Sequence, residues 1–185
     1  YNLGLVFQNY AGYVQPGMGK GVVGLGWNNI GTDLDFMDYA ENTFFISYGQ
    51  KIAGSLGVGL NLKYYQADYE DLAASAWSMD IGALLRLTEQ KINIGFIFQD
   101  VNNPKIRWYT GNTDKIKSNL RTGIAYLPRS DLSFAVDADK ILEERPQVHA
   151  GAEKYFYGRS VGVRAGAIMK EKDVWNIACG LSVSC

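Results

Sequence analysis

Stretch after stretch of this chain alternates between apolar residues and small or polar ones. That period of two limits the possible folds more than any other feature. Leu56, Val58, Leu60, Leu62 and Tyr64 alternate with Gly57, Gly59, Asn61, Lys63 and Tyr65. Trp77, Met79, Ile81, Ala83, Leu85 and Leu87 alternate with Ser78, Asp80, Gly82, Leu84 and Arg86. The beat continues through Ile92–Gln99, Leu120–Leu127, Phe134–Asp139 and Val161–Ile168. Successive strand residues point to opposite faces, so each run reads as a strand with one apolar and one polar face. About eleven such strands are visible, punctuated by turn signals such as Ala53-Gly54-Ser55, Thr88-Glu89-Gln90 and Pro128-Arg129-Ser130.

Composition narrows the reading. Hydrophobic residues make up 47% of the 185, yet mean hydropathy is only −0.13. Transmembrane helices need runs of about 18 or more apolar residues, and the sequence has none. The 21 glycines and 12 tyrosines suit aromatic-decorated β-structure, since glycine is costly inside a helix. With 18 basic against 19 acidic residues, net charge is −1, so no global field favours nucleic acid as a partner.

A soluble antiparallel sandwich would alternate in the same way. Three features favour an antiparallel up-and-down transmembrane β-barrel. The runs reach about ten to twelve residues, against about five or six in soluble sheets. The polar face is rich in Gly, Asn, Ser and isolated charges, as a hydrated interior requires. Aromatics gather at run ends: Trp27, Phe44, Tyr64, Tyr65, Trp77, Trp108, Tyr126, Tyr155 and Phe156 are expected to form interfacial girdles. Short turns are expected to alternate with longer connections at Gly31–Glu41, Asp68–Ala74, Val101–Lys115 and Ile141–Pro146.

Candidate functional residues fall into two sets. Lys63, Asp80, Arg86, Arg121, Asp137, Asp139, Glu153 and Arg164 lie on the polar phase of their strands. They read as a lumen charge set, paired across strands to stiffen the wall or lining a path. Within the segment 101–117, Lys105, Arg107, Trp108 and Tyr109 combine cations with aromatics and could meet a partner or ligand, or form an ordinary solvated loop. His149 is the single histidine, which excludes a histidine-based metal cluster. No nucleophile–base pair or metal set emerges, so no enzyme activity and no cofactor are expected. Cys179 and Cys185, six residues apart, would lie about 20 Å apart on one strand and are not expected to pair. If Val163 faces lipid near the midplane, Val163→Arg should cost about 2–4 kcal/mol, while Gly162→Ser should be mild.

Several stretches resemble the PorV/PorQ family, whose fold is similar to the FadL-type channels. Ile46-Ser47-Tyr48-Gly49-Gln50-Lys51 followed by Leu56–Tyr64 resembles its paired strands. So do Ile94–Val101 with Lys105-Ile106-Arg107-Trp108, and Asn119–Pro128 followed by Phe134–Lys140, Val148–Tyr155 and Val163–Gly166. The resemblance implies a single bacterial outer-membrane barrel domain over residues 1–185, with about eleven strands visible of a family total of fourteen. The N-terminal strands and hatch segment would be missing. By resemblance, its partners would be outer-membrane lipid and secreted or envelope proteins. Its role would be a shuttle or anchor for secreted or surface proteins, as in type IX secretion. The alternatives are a channel for hydrophobic small molecules and a barrel scaffolding an envelope assembly.

Overall fold

A computed structural model describes residues 5–18, 21–34, 37–69, 72–108, 111, 113–171 and 174–183. The strands are β1 (Leu5–Met18), β2 (Gly21–Leu34), β3 (Met37–Ala53), β4 (Leu56–Tyr69), β5 (Leu72–Leu87), β6 (Ile92–Gln99), β7 (Lys105–Arg107), β8 (Thr113–Lys115), β9 (Asn119–Arg129), β10 (Leu132–Ile141), β11 (Gln147–Phe156), β12 (Val161–Glu171) and β13 (Val174–Val183). A single 3-10 turn spans Tyr157–Arg159. β7 and β8 pair only with each other; the other eleven form one sheet in sequence order. The all-β, neighbour-to-neighbour arrangement read from the alternation is therefore present, with eleven strands in the main sheet. The order is open, with β1 and β13 as its two edges. Eleven alternately directed strands leave the first and last running the same way, so an antiparallel ladder cannot close between them.

Two compact units divide the chain: residues 1–51, 58–81 and 99–118, and residues 52–57, 82–98 and 119–185. In the first, β2 pairs with β3 without interruption from Gly21↔Gln50 to Leu34↔Met37. β1 pairs with β2 from Leu5↔Asp33, with an irregularity between Pro16 and Met18, where proline has no N–H to donate. Two expected connections are corrected here. Residues 31–34 and 37–41 are strand, as are Asp68, Tyr69 and residues 72–74. Their polar composition comes from strands that continue past the apolar stretch. The connections that are long are 100–118 and 142–146.

Along β4 and β5 of the first unit the two faces differ in chemistry. Leu25, Phe44, Ile46, Leu60, Leu62 and Trp77 are exposed on one phase, while Ser47, Asn61, Lys63, Ser78 and Asp80 share a hydrogen-bonded network on the other. The apolar face ends at the Trp27↔Phe44 rung. On the next rung Asn9 Nδ2 donates to Asn29 Oδ1 at 3.3 Å and Asn29 Nδ2 to Asn42 Oδ1 at 3.1 Å. Trp27 Nε1 also donates to Asn42 Oδ1, at 2.9 Å. Three members of the expected girdle are corrected. Tyr65 donates to Asp100 on the polar face, Tyr155 lies against Gly162, and Trp108 belongs to the segment joining β7 and β8.

In the second unit, β9 to β13 hold register across successive rungs. Ala135, Gly151, Gly166 and Ala178 form one rung, and Ser133, Glu153, Arg164 and Gly180 another. The opposite face exposes Ile124, Phe134, Val136, Val163, Ile177 and Leu181. Within β5 the alternation changes phase after Ile81. Ala83, Leu85 and Leu87 are half-buried whereas Leu84 and Arg86 are exposed, a shift of the kind a β-bulge makes.

Among the described residues the buried apolar side chains are Ala67, Ala74 and Ala76, while Lys63, Ser78, Asp80, Asp100 and Ser118 are buried polar ones. Interior contact therefore comes from polar groups and from rings laid over glycines. A Cβ on Gly26 would lie 2.0 Å from the Phe45 ring, which stacks on Tyr10 at 6.2 Å. Nothing lies within 4 Å of a Cβ at Gly95. Gly26→Ala should lower stability by about 1–3 kcal/mol through overpacking, and Gly95→Ala should leave it unchanged, as read from denaturant midpoints. Equal effects would refute the ring-over-glycine packing.

Candidate functional site

Lys63 on β4 and Asp80 on β5 come together as the sequence pattern allows. Lys63 Nζ lies 2.7 Å from Asp80 Oδ1. A second carboxylate completes the cluster: Asp100, just after β6, lies 2.7 Å from the same ammonium. All three are buried, at 7%, 5% and 8% exposure. A buried ion pair needs further hydrogen bonds before attraction offsets desolvation, and both carboxylates accept them here. Asp100 Oδ1 also accepts from Tyr65 Oη at 2.9 Å and Ser78 Oγ at 2.7 Å. Asp80 accepts from the Asp100 N–H at 2.9 Å and from Asn61 Nδ2 at 3.0 Å. Ser47 Oγ donates to Asn61 Oδ1 at 2.9 Å, extending the network to β3.

This cluster fastens the 100–118 segment to the polar face. Asp100 has a left-handed φ of 53°, which turns the chain at the end of β6. The Val101 N–H donates to Met79 O at 3.0 Å, and Asn102 Nδ2 to Trp77 O at 2.9 Å. Fully buried Ser118 donates to Asp100 O at 2.6 Å, closing the segment at its far end. Between these anchors, Ile116 N–H donates to Pro104 O at 2.9 Å. Trp108 Nε1 donates to Asp114 Oδ2 at 2.5 Å. Lys105 is exposed on β7. Arg107 contributes to the β7–β8 ladder opposite Thr113, and Tyr109 lies outside the described residues. Sequence reading missed Asp100, Ser78 and Ser118; the Asp-Val-Asn-Asn-Pro run at 100–104 was the available signal, being rich in turn-forming residues.

The remaining charges form separate pairs. Arg121 and Asp139 are register partners at 2.7 Å. Glu153 and Arg164 are register partners at 3.5 Å, and Arg164 reaches Ser182 Oγ at 3.4 Å. Asp137 sits opposite Gly123 and His149, its Oδ1 where a Gly123 Cβ would come within 2.0 Å. The His149 Nε2 is buried without a partner among the described residues. Arg86 is exposed and joins none of these pairs. A cleft of about 460 Å³ lies over Ala135, Gly151, Gly166, Ala178 and Gly180, beside the Glu153–Arg164 pair. Cys179 is a free, exposed thiol, and Cys185 lies outside the described residues. No group of three or more His, Cys, Asp or Glu able to hold a metal ion occurs among the described residues.

At the opposite end of the strands, the Ser130–Asp131 turn meets the turn at 157–160. The Tyr155 N–H donates to Asp131 O at 2.8 Å. Asp131 accepts from Lys154 Nζ, with Arg129 Nε 3.2 Å from its other oxygen. The Lys154 ammonium, with Arg129 and a backbone N–H adding to it against some desolvation, holds this carboxyl below its ordinary value of 3.8.

Two outcomes test these contacts. Lys63→Met leaves two buried carboxylates unpaired and should cost about 3–5 kcal/mol, opening the 100–118 segment to protease. Adding Asp80→Asn and Asp100→Asn should recover much of that loss. For Asp131, a lowered folded pKa means that its stabilisation is complete above the unfolded value of 3.8 and lost as pH falls through the folded value. The difference in unfolding midpoint between wild type and Asp131→Asn should shrink as the medium is acidified below that value.

Comparisons with protein families, with curated proteins and with solved structures find no match for this chain.

Proposed function

We propose that this chain forms the wall of a bacterial outer-membrane β-barrel of the PorV/PorQ kind. In this reading its role is non-enzymatic: it receives or anchors secreted or surface proteins at the membrane. The supporting observation is the exposure of large apolar side chains in each of the two units. Trp77 is 68% exposed, Ile46 58% and Val136 54%, while lysine and aspartate are buried on the opposite phase. Water would reverse that distribution; hydrocarbon favours it.

The height of the apolar face fits a bilayer. Lys154 stands opposite Leu132, and Lys140 ends the same face of β10 eight residues further on. Phe134, Val136 and Ala138 lie between them. Eight residues span about 27 Å along a strand, or about 21 Å along the normal at a tilt of about 40°, within about 4 Å of the roughly 25 Å apolar band that such barrels show. Lys154 snorkels from the lower edge of the band to Asp131 in the turn.

Between shuttle and channel, the segment 100–118 favours the shuttle. Three anchors at Asp100, Val101 and Asn102 hold it on the polar face and Ser118 closes it back on Asp100, which offers a fixed protein surface. A second reading, a channel for hydrophobic small molecules, draws on the Tyr10–Phe45 stack and on exposed Val14 and Val22. These lie on the same phase as Ser47.

Fractionation of cells expressing the full-length protein tests the membrane reading. Recovery in the outer membrane, with a heat-dependent shift in gel mobility after detergent extraction, is expected. A freely soluble, unshifted protein would overturn it. In this reading Val163, opposite Lys154, belongs at the edge of the band and not at its midplane, whereas Val136, opposite Ala150, belongs near the middle. Val136→Arg should cost about 2–4 kcal/mol and Val163→Arg about 0–1 kcal/mol. Gly162→Ser is not mild, because its Cβ would lie 2.6 Å from Ser182 Oγ and 3.0 Å from Tyr155.

A further inference from the structure

We infer that the cleft between the 130–131 and 157–160 turns binds the phosphodiester headgroup of an anionic glycerophospholipid. The inference rests on the membrane reading above and adds a specific lipid site to it. The cleft has a volume of about 630 Å³ and is lined by Arg129, Asp131, Lys154, Tyr155, Tyr157 and Arg159, among others. Three cations face one carboxylate there, so the cleft carries a net positive charge.

The cations are available to an anion. Arg129 meets Asp131 through Nε at 3.2 Å, one of the five N–H donors of a guanidinium. Arg159 lies over the Tyr155 ring at 4.9 Å and makes no ion pair among the described residues. A guanidinium held by a ring and not by a carboxylate has N–H donors to offer a ligand, and its planar fork matches phosphate oxygens. A neighbouring turn adds a fourth cation, as Lys91 Nζ reaches Pro128 O at 2.6 Å.

Geometry selects an amphiphile over a free anion. Lys154 belongs to the strand face that carries exposed Phe156, and it stands opposite Val163. Its ammonium lies 5.8 Å from the centroid of the Phe156 ring while contacting Asp131 in the turn. A phosphate in the cleft would therefore have an apolar wall running directly from it, along which acyl chains can lie. Tyr157, 85% exposed at the rim, is the amphipathic ring such a water–lipid boundary favours.

The test uses the full-length protein in a neutral detergent, with native mass spectrometry counting bound dioctanoyl phosphatidylglycerol or dioctanoyl phosphatidylcholine. The glycerol lipid should bind about tenfold more tightly than the choline lipid, the scale of one charge-assisted contact. Arg159→Gln, which disrupts no ion pair among the described residues, should remove a large part of that preference, and Arg129→Gln/Lys154→Gln/Arg159→Gln nearly all of it. Lys140→Gln/Arg145→Gln, at the other end of the strands, should leave it intact. Equal binding of the two lipids, or a preference that survives in both cleft variants, would overturn the proposal. Displacement by millimolar inorganic phosphate would also overturn it, as the mark of a simple anion site. Heat-modifiable mobility in the same preparation separates the two claims. A shifted protein without lipid preference refutes the site alone, whereas a soluble, unshifted protein refutes the membrane reading and the site with it.

Discussion

A β-strand has two faces because successive side chains point in opposite directions, and along β4 and β5 each face has its own chemistry. Leu60 and Leu62 are exposed on β4 while Lys63 between their phases is buried. Ser78 and Asp80 are buried on β5 next to exposed Trp77 and Ile81. Every other feature follows from this assignment. The polar face must satisfy its own hydrogen bonds, which draws Asp100 and its segment onto Lys63. The other face leaves Leu60, Leu62 and Trp77 exposed. A slip of one residue in register would exchange the two faces completely, so uninterrupted pairing such as Gly21↔Gln50 to Leu34↔Met37 preserves the chemistry as well as the ladder.

The unusual share of glycine and tyrosine has a packing explanation. The rings of Phe45, Tyr48 and Phe7 lie over Gly26, Gly21 and Gly31, so close that a Cβ would fall within 2.5 Å of each. Tyr155 covers Gly162 in the same way, at 3.0 Å. A glycine opposite an aromatic lets the ring lie flat on the neighbouring strand and cover the backbone there, a pairing known to compensate for glycine's weakness in sheets. With three alanines as the buried apolar residues among those described, these ring–glycine contacts supply much of the van der Waals contact that a larger aliphatic core provides elsewhere.

The strands and their faces were legible in the sequence because alternation is a local signal repeated many times. What was not legible has physical causes. The polar residues at 31–41 and 68–74 look like loops, yet a strand beyond the apolar band has no reason to stay hydrophobic. Asp100 could not be joined to Lys63 because 37 positions separate them and a left-handed residue lies at the junction. The charge set drawn from the polar phase was partly a set of real neighbours: Lys63 with Asp80, Arg121 with Asp139, and Glu153 with Arg164. Two stand outside these pairs: Asp137 faces Gly123 and His149, and the phase change after Ile81 takes Arg86 out of the pattern. Nor could the turn cleft have been foreseen, because it joins residues of two turns through the Tyr155–Asp131 bond.

Sequential strand order has a consequence for how such a chain reaches its final state. Each strand of the main sheet pairs with its neighbour in that sheet's sequence order, and Gly54–Ser55 and Ser130–Asp131 make two-residue reversals. Contacts this local form quickly and need little chain closure, so the sheet can grow one hairpin at a time. At each stage the newest strand presents unpaired N–H and C=O groups beside a wall of exposed leucine, phenylalanine and tryptophan. That combination is a template for adding strands of other copies. Growth from the sequence is thus easy and waiting is dangerous, because the open edge of the newest strand lies beside that apolar wall.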